Sequence, residues 1–187
     1  VDPFSETVGL RSPKLQADIL ILTNEHSEDI DQKQVQGNPF LIYGPGEYEV
    51  KEVFVQGIPA VPESEAKKPI KSVIYTIEAE GIKLCHLGEL NQKELNSAQL
   101  EKIGDVDILM IPVGGGNSLD PKQAQKIISQ IEPRVVIPMY YQLPKLKAKL
   151  EGVDKFLKTL GKKSTEPQQK LLIKKKDLPE EGMDIAV

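Results

Sequence analysis

The sequence predicts an α/β protein in which two mixed β-sheets pack face to face with helices outside. Three observations carry that expectation. Short apolar runs alternate with helical patterns along most of the chain, strand pairs come early around Gly44-Pro45-Gly46, and β-α-β units come later around the helix start Asp120-Pro121. Strand pairs that give way to β-α-β units fit a layered sandwich. The 187 residues are enough for one domain with a real core and too few for two ordinary ones, so a single domain over 1–187 is expected.

Each element has its own reason. Ala17 to Leu22, Lys71 to Glu78, Ile82 to Leu87, Val106 to Pro112 and Arg134 to Met139 are apolar runs of strand length, several of them apolar on both faces. Phe40 to Tyr43, the turn Gly44-Pro45-Gly46 and Tyr48 to Val55 read as strand, turn and long strand, with glycines free in φ and a proline fixing the turn. A helix is expected at Gln99 to Ile103. A stronger one opens at Asp120-Pro121, where Asp caps, Pro takes the first turn, and Ala124, Ile127, Ile128 and Ile131 form one apolar stripe. Lys145 to Leu160 contains a third, ended at Gly161, and Leu171-Leu172-Ile173 reads as a late edge strand flanked by lysines.

Composition narrows the class of function. Net charge is −4, from 24 basic and 28 acidic residues, which argues against a general nucleic-acid binder. Eleven lysines lie between Lys145 and Lys176 with Phe156 as the one aromatic among them, so they read as a solvated face and not as a base-stacking surface. No apolar run approaches the ~20 residues that span a bilayer, so no membrane partner is expected. A single cysteine, Cys85, cannot form an intrachain disulfide; a reducing cytoplasm is the expected compartment, and Cys85 reads as a core thiol.

The chemistry is expected on the loop after the first buried run, Thr23-Asn24-Glu25-His26-Ser27-Glu28-Asp29, because α/β folds place polar sites beyond strand ends. The loop has the outline of a metal site with few of the donors, since Asn24 is a poor transition-metal ligand. The spacing resembles the Thr-His-x-His-x-Asp-His motif of metallo-β-lactamase-fold hydrolases. Asn38 to Val50, Cys85-His86-Leu87-Gly88-Glu89-Leu90, Asp107 to Gly115 and Val136 to Tyr141 come next in the matching order. Together they look like the Zn-dependent hydrolase branch related to L-ascorbate-6-phosphate lactonase, from Asp2 to about Tyr141.

The resemblance implies a four-layer αββα sandwich and a site for one or two metals. It puts the first loop's ligand positions on Asn24, His26, Glu28 and Asp29, the next His position near Pro62, the acidic bridging position on Glu89 and the last His position on Tyr140. His26 alone remains as an unaltered His ligand, and a phenol with a pKa near ~10 ligates poorly at neutral pH. His26, Asp29 and Glu89 are therefore the candidate metal ligands, with Asp29 and His26 as catalytic candidates. They are expected to hold at most one weakly bound divalent ion, zinc or manganese. His86 is expected beside the site as a hydrogen-bonding residue, facing away from Cys85 and Leu87. The glycine run Gly114-Gly115-Gly116 reads as a strand-to-helix turn lining the cleft.

The family also carries two or three strands ahead of Asp2-Pro3-Phe4. About 25 residues of the first sheet are therefore expected to be missing, by the length of short strands and a turn. The edge they leave is expected to be covered by a second copy of the chain or by the segment around Leu171 to Ile173. Three functions remain open: a metal-dependent hydrolase of a small ester, lactone or phosphorylated metabolite; a relative with a degenerate site that binds a small molecule or partner; and a metal-independent hydrolase with Asp29 or Glu89 as base beside His26. Loss of ligands with the scaffold motifs intact favours the second.

Overall fold

The computed structural model describes residues 1–24, 27–61 and 72–187. The early runs make two small parallel pairs. β1 (Leu15–Gln16) pairs with β3 (Val35–Gln36), and β2 (Ile19–Ile21) pairs with β4 (Phe40–Ile42). The remaining strands form one seven-stranded mixed sheet. They are β5 (Gly46–Val50), β6 (Val53–Pro59), β7 (Val73–Ala79), β8 (Ile82–His86), β9 (Ile108–Pro112), β10 (Val135–Met139) and β11 (Asp184–Ile185), in the spatial order β11-β10-β9-β8-β7-β6-β5. β5 to β8 run antiparallel to their neighbours, and β8 to β11 are parallel.

The two faces of this sheet bury different partners, as side-chain alternation along a strand requires. On one face Val55, Val73 and Tyr75 pack against Ile21 and Ile42 of the small β2–β4 pair, which is the sheet-on-sheet contact of a sandwich. On the other, Ile74, Cys85, Leu109, Ile111 and Val136 pack against α1 (Ser97–Ile103), α2 (Pro121–Ile131) and α3 (Val153–Thr159). The fold is the mixed α/β sandwich that the sequence led us to expect. Among the described residues the helical pieces near the smaller sheets are 3-10 turns at Glu6–Val8, which borders the cleft, and Gln32–Gln34. No helix among them is long and apolar enough to cross a membrane.

Helix starts obey side-chain chemistry closely. Asp120 caps α2 by accepting the backbone N–H groups of Lys122 and Gln123, and the Gln123 side chain accepts the Asp120 N–H in return. Asn96 and Gln99 do the same for α1.

Four expectations need correction. Tyr48 to Val55 is not one long strand but the β5–β6 hairpin. Lys51 and Glu52 adopt φ of 51° and 63° at its tip, the left-handed pair of a type I′ turn, without the Asn-Gly sequence that usually announces one. Phe40 to Tyr43 does not pair with the hairpin that comes after it, since Gly44-Pro45 carries the chain from one sheet to the other. The third helix is shorter than expected. Residues 143–151 form a strap whose backbone bonds go elsewhere: Gln142 N–H to the Glu151 carbonyl, Lys147 N–H to the Val8 carbonyl, and Leu150 N–H to the Gln142 side chain. Leu171 to Ile173 is not a strand. The place beside β10 is taken by β11, and Ile173 packs with Ile108, Val135 and Leu178, so this segment covers that cluster and not the edge near Asp2.

Candidate functional site

Thr23 ends the first buried run, and its surroundings organise the site. Its backbone N–H donates to Asp2 Oδ1 at 2.8 Å and its hydroxyl to Asp2 Oδ2 at 2.7 Å, so both carboxylate oxygens of Asp2 are occupied. The segment carrying Asp2 is itself fixed: Asp2 N–H donates to the Ile21 carbonyl, Ser5 N–H to the Asp29 carbonyl and Asp31 N–H to the Pro3 carbonyl. These bonds hold Asp29 beside the chain's first residues, as expected of Val1 to Phe4.

The second wall comes from the C-terminal ends of the parallel strands. Past β8 the chain turns sharply at Gly88, whose φ is 56° and where an added Cβ would lie 2.5 Å from Thr23 Cβ. Only glycine fits there without displacing Thr23. The turn brings Glu89 into the cleft. Tyr140 lies just past β10 with φ of 51°, and its carbonyl lies where a Cβ on Gly114 would stand, 2.1 Å away. The turn at 114–116 packs against the Tyr140 backbone, and Gly115 lines the cleft beside the phenol.

Asp29, Glu89, His86 and Tyr140 line one cleft of about 590 Å3, beneath apolar walls that include Phe4, Leu10, Ile30, Met110, Leu146 and Leu150. The Tyr140 hydroxyl lies beside the Glu89 carboxylate, close enough to hold its pKa down as a donor. Burial first, and then the charges of Asp2 and Asp29, raise Glu89 above the usual carboxylate range despite the Tyr140 hydroxyl. Burial and the neighbouring Glu89 charge raise the Tyr140 phenol, which therefore stays protonated and serves as a donor. Asp2 is raised by burial, opposed by its bonds to Thr23.

His86 is 5% exposed, and burial lowers its pKa to about 3, so the ring is neutral. Its Nδ1 accepts the Gly88 N–H at 3.1 Å, which places the ring hydrogen on Nε2. It hydrogen-bonds beside the site, the role the sequence assigned to it. Cys85 is fully buried with its thiol pushed up to about 12, an inert core group. Of the lysine run, Lys175 is paired at 2.7 Å with Asp107.

The structure thus brings Asp29, Glu89 and Tyr140 together, while His26 and Pro62 lie outside the described residues. Asp2 was not among the candidates read from the sequence; an Asp held by Pro3 in the first segment is a weak local signal, and its partner Thr23 is 21 positions away. Among the described residues no three His, Cys, Asp or Glu side chains are grouped to hold a metal ion. The donor chemistry agrees: Asp2 accepts twice from Thr23, Glu89 lies against the Tyr140 hydroxyl, and a protonated phenol is a poor ligand. Among the described residues this set does not fit the two-metal centre that the fold implies. A second groove, of about 650 Å3, lies at the other ends of the parallel strands. Three of its seven charged residues are paired, Asp107 with Lys175 and with Arg134.

A family model described as beta-lactamase superfamily domain matches residues 1–140. A UPF0173 metal-dependent hydrolase of Thermococcus onnurineus is 28% identical over 171 residues, covering 75% of this chain and 75% of the relative. A second, from Pyrococcus furiosus, is 30% identical over 125 residues, covering 65% of this chain and 53% of the relative. Among solved structures, a Zn-dependent hydrolase of the metallo-beta-lactamase superfamily from Thermotoga maritima matches with a TM-score of 0.78 and 32% identity, over 99% of this chain and 86% of that one. A metal-dependent hydrolase from Parabacteroides distasonis shares the fold at a TM-score of 0.58 and 15% identity, over 78% of this chain and 72% of that one.

Proposed function

The chain belongs to the beta-lactamase superfamily, and from that premise we propose that it is a hydrolase-like relative with a degenerate metal site whose cleft binds a small molecule. One observation carries this reading. Where the family's ligands would converge, the Tyr140 hydroxyl lies against Glu89 and the neighbouring Asp2 is bonded twice to Thr23. Asp2 already accepts two hydrogen bonds and Glu89 has the Tyr140 hydroxyl beside it, so each gains less from a metal than a bare carboxylate would.

A second reading is favoured by the charge balance. Asp29 and Glu89 repel one another across the cleft, and a cation between them would relieve that repulsion. With His26 they would make a mononuclear site in a hydrolase of small esters, lactones or phosphorylated metabolites, the metal supplying Lewis-acid activation of water.

Zinc uptake by calorimetry, metal content after purification without added metal, and hydrolysis of simple lactones and phosphodiesters separate the two. The degenerate-site reading expects the wild type to retain no stoichiometric metal and to show no metal-dependent turnover. It also expects the double variant Asn24→His/Tyr140→His to gain measurable zinc affinity, because each imidazole adds a neutral nitrogen donor. Robust metal-dependent hydrolysis by the wild type, abolished in Asp29→Ala, would establish the second reading instead.

A further inference from the structure

We propose that the cleft is a receptor site for a small primary amine on an apolar body that carries a neighbouring hydroxyl or carbonyl oxygen. In this site the ammonium lies between Asp29 and Glu89, the oxygen meets His86, and the carbon skeleton lies under the strap of residues 143–150. This rests on the reading of the cleft as a ligand site without a two-metal centre.

The carboxylates provide the first recognition element. Asp2 is held by two hydrogen bonds from Thr23, but Asp29 and Glu89 face the cleft without a cationic partner among the described residues. Lys147 is the one lysine on the lining. It stands at the exposed rim and forms no ion pair with either carboxylate. Two like charges in a partly buried cleft favour a ligand of opposite charge. An ammonium offers three donors to carboxylate oxygens, and the Tyr140 hydroxyl borders the Glu89 carboxylate on its other side.

His86 provides the second, independent element. The ring is nine-tenths buried, lines the cleft, and accepts the Gly88 N–H on Nδ1. Its Nε2–H is therefore a donor left without a partner among the described residues. The ring is buried but Nε2 itself is open to the cleft, so a ligand oxygen there replaces solvent at a donor whose position is already fixed. A bare metal cation supplies no acceptor for it, whereas an amino alcohol or amino ketone supplies both groups.

The walls provide the third element. A volume of about 590 Å3 falls in the roughly 300–1,000 Å3 range of small-molecule sites. Phe4, Leu10, Leu146 and Leu150 offer apolar contact to a ring or short alkyl chain. The strap that contributes Leu146 and Leu150 is pinned at both ends, by Lys147 N–H to Val8 and Glu151 N–H to Gly114, so the walls are preformed.

Calorimetry on protein dialysed against chelator tests this with three probes: 2-amino-1-phenylethanol, phenethylamine (no hydroxyl) and 1-phenylethane-1,2-diol (no amine). The amino alcohol is expected to bind best. The diol is expected to bind at least about tenfold more weakly, the size of one charge-assisted hydrogen bond. Glu89→Gln, which keeps the shape and the Tyr140 contact, should weaken the amino alcohol by a similar factor. His86→Asn keeps an acceptor for Gly88 but removes the Nε2 donor, and should erase the preference for the amino alcohol over phenethylamine. The wild-type probe series stands by itself if either variant fails to fold. Equal binding of diol and amino alcohol, or no binding of the amino alcohol at millimolar concentration, would overturn the proposal. If the same protein takes up no zinc and hydrolyses nothing, that failure belongs to the amine assignment alone; metal-dependent turnover would instead remove the premise beneath it.

Discussion

Gly88→Ala is expected to cost about 2–5 kcal/mol and to disorder the cleft. Two penalties add. Alanine at φ of 56° incurs the left-handed strain of roughly 1–2 kcal/mol. Its Cβ would also stand 2.4 Å from Thr23 Oγ1 and 2.5 Å from Thr23 Cβ, and a β-branched atom next to the backbone cannot rotate away. Overpacking of that kind typically costs about 1–3 kcal/mol. Thr23 would be driven off Asp2, so the two bonds that hold the first segment against the site would be lost with it. Gly81→Ala is the control: φ there is 73°, yet nothing lies within 4 Å of the added Cβ, so strain acts alone. Urea unfolding of the two variants should differ by the clash term alone, about 1–3 kcal/mol, because the strain is common to both. Equal midpoints would mean that the approach of Gly88 to Thr23 is not what fixes this corner.

Acid should destabilise the protein through His86 well before the ordinary carboxylates titrate. Burial lowers its folded-state pKa from 6.5 to about 3. The unfolded chain therefore takes up a proton on falling below pH 6.5 while the folded chain does not. The contribution is fully present above pH 6.5, is lost progressively as pH falls, and is exhausted near pH 3. At about 1.4 kcal/mol per pH unit, the first one and a half units remove roughly 2 kcal/mol. Asp2 and Glu89, both raised, act in the opposite sense: the folded state binds their protons first, so acid removes a burden there. His86→Asn separates the two effects, because the amide oxygen can accept the Gly88 N–H and does not titrate. Wild type should lose urea resistance between about pH 6.5 and 5, and the variant should show a flatter profile over that interval. Parallel profiles would show that His86 is reachable by protons in the folded state.

Much of the scaffold was legible because its signals are local. The α2 start is written in Asp120, Pro121 and Gln123, and the cap hydrogen bonds form as those side chains dictate. The buried parallel strands β9 and β10 are announced by unbroken apolar runs that no exposed element would carry. The family outline was legible too, since Gly88-Glu89, the Gly114 turn and Tyr140 kept their order along the chain. Where the local signal was silent, expectation failed. Lys51 and Glu52 turn left-handed because flanking strands β5 and β6 pair across them, not because those residues prefer it. The strap at 143–151 has helix-forming lysines, yet its backbone groups find better partners in Val8, Gln142 and Gly114, which only the folded chain supplies.

The same division holds at the site. By itself the sequence determined which donors exist: Asn24 and Tyr140 where imidazoles are expected, Glu89 in the acidic position, and Asp29 on the first loop. A residue's identity fixes what its atoms can donate or accept before any folding occurs. Tertiary structure alone decided which of those donors are free. It tied Asp2 to Thr23, set Tyr140 beside Glu89, turned the hydrogen of His86 onto Nε2, and left Asp29 and Glu89 on one cleft lining with apolar walls. Availability depends on distances between residues far apart in sequence and on how much water reaches them, and neither quantity is carried by a linear pattern of side chains.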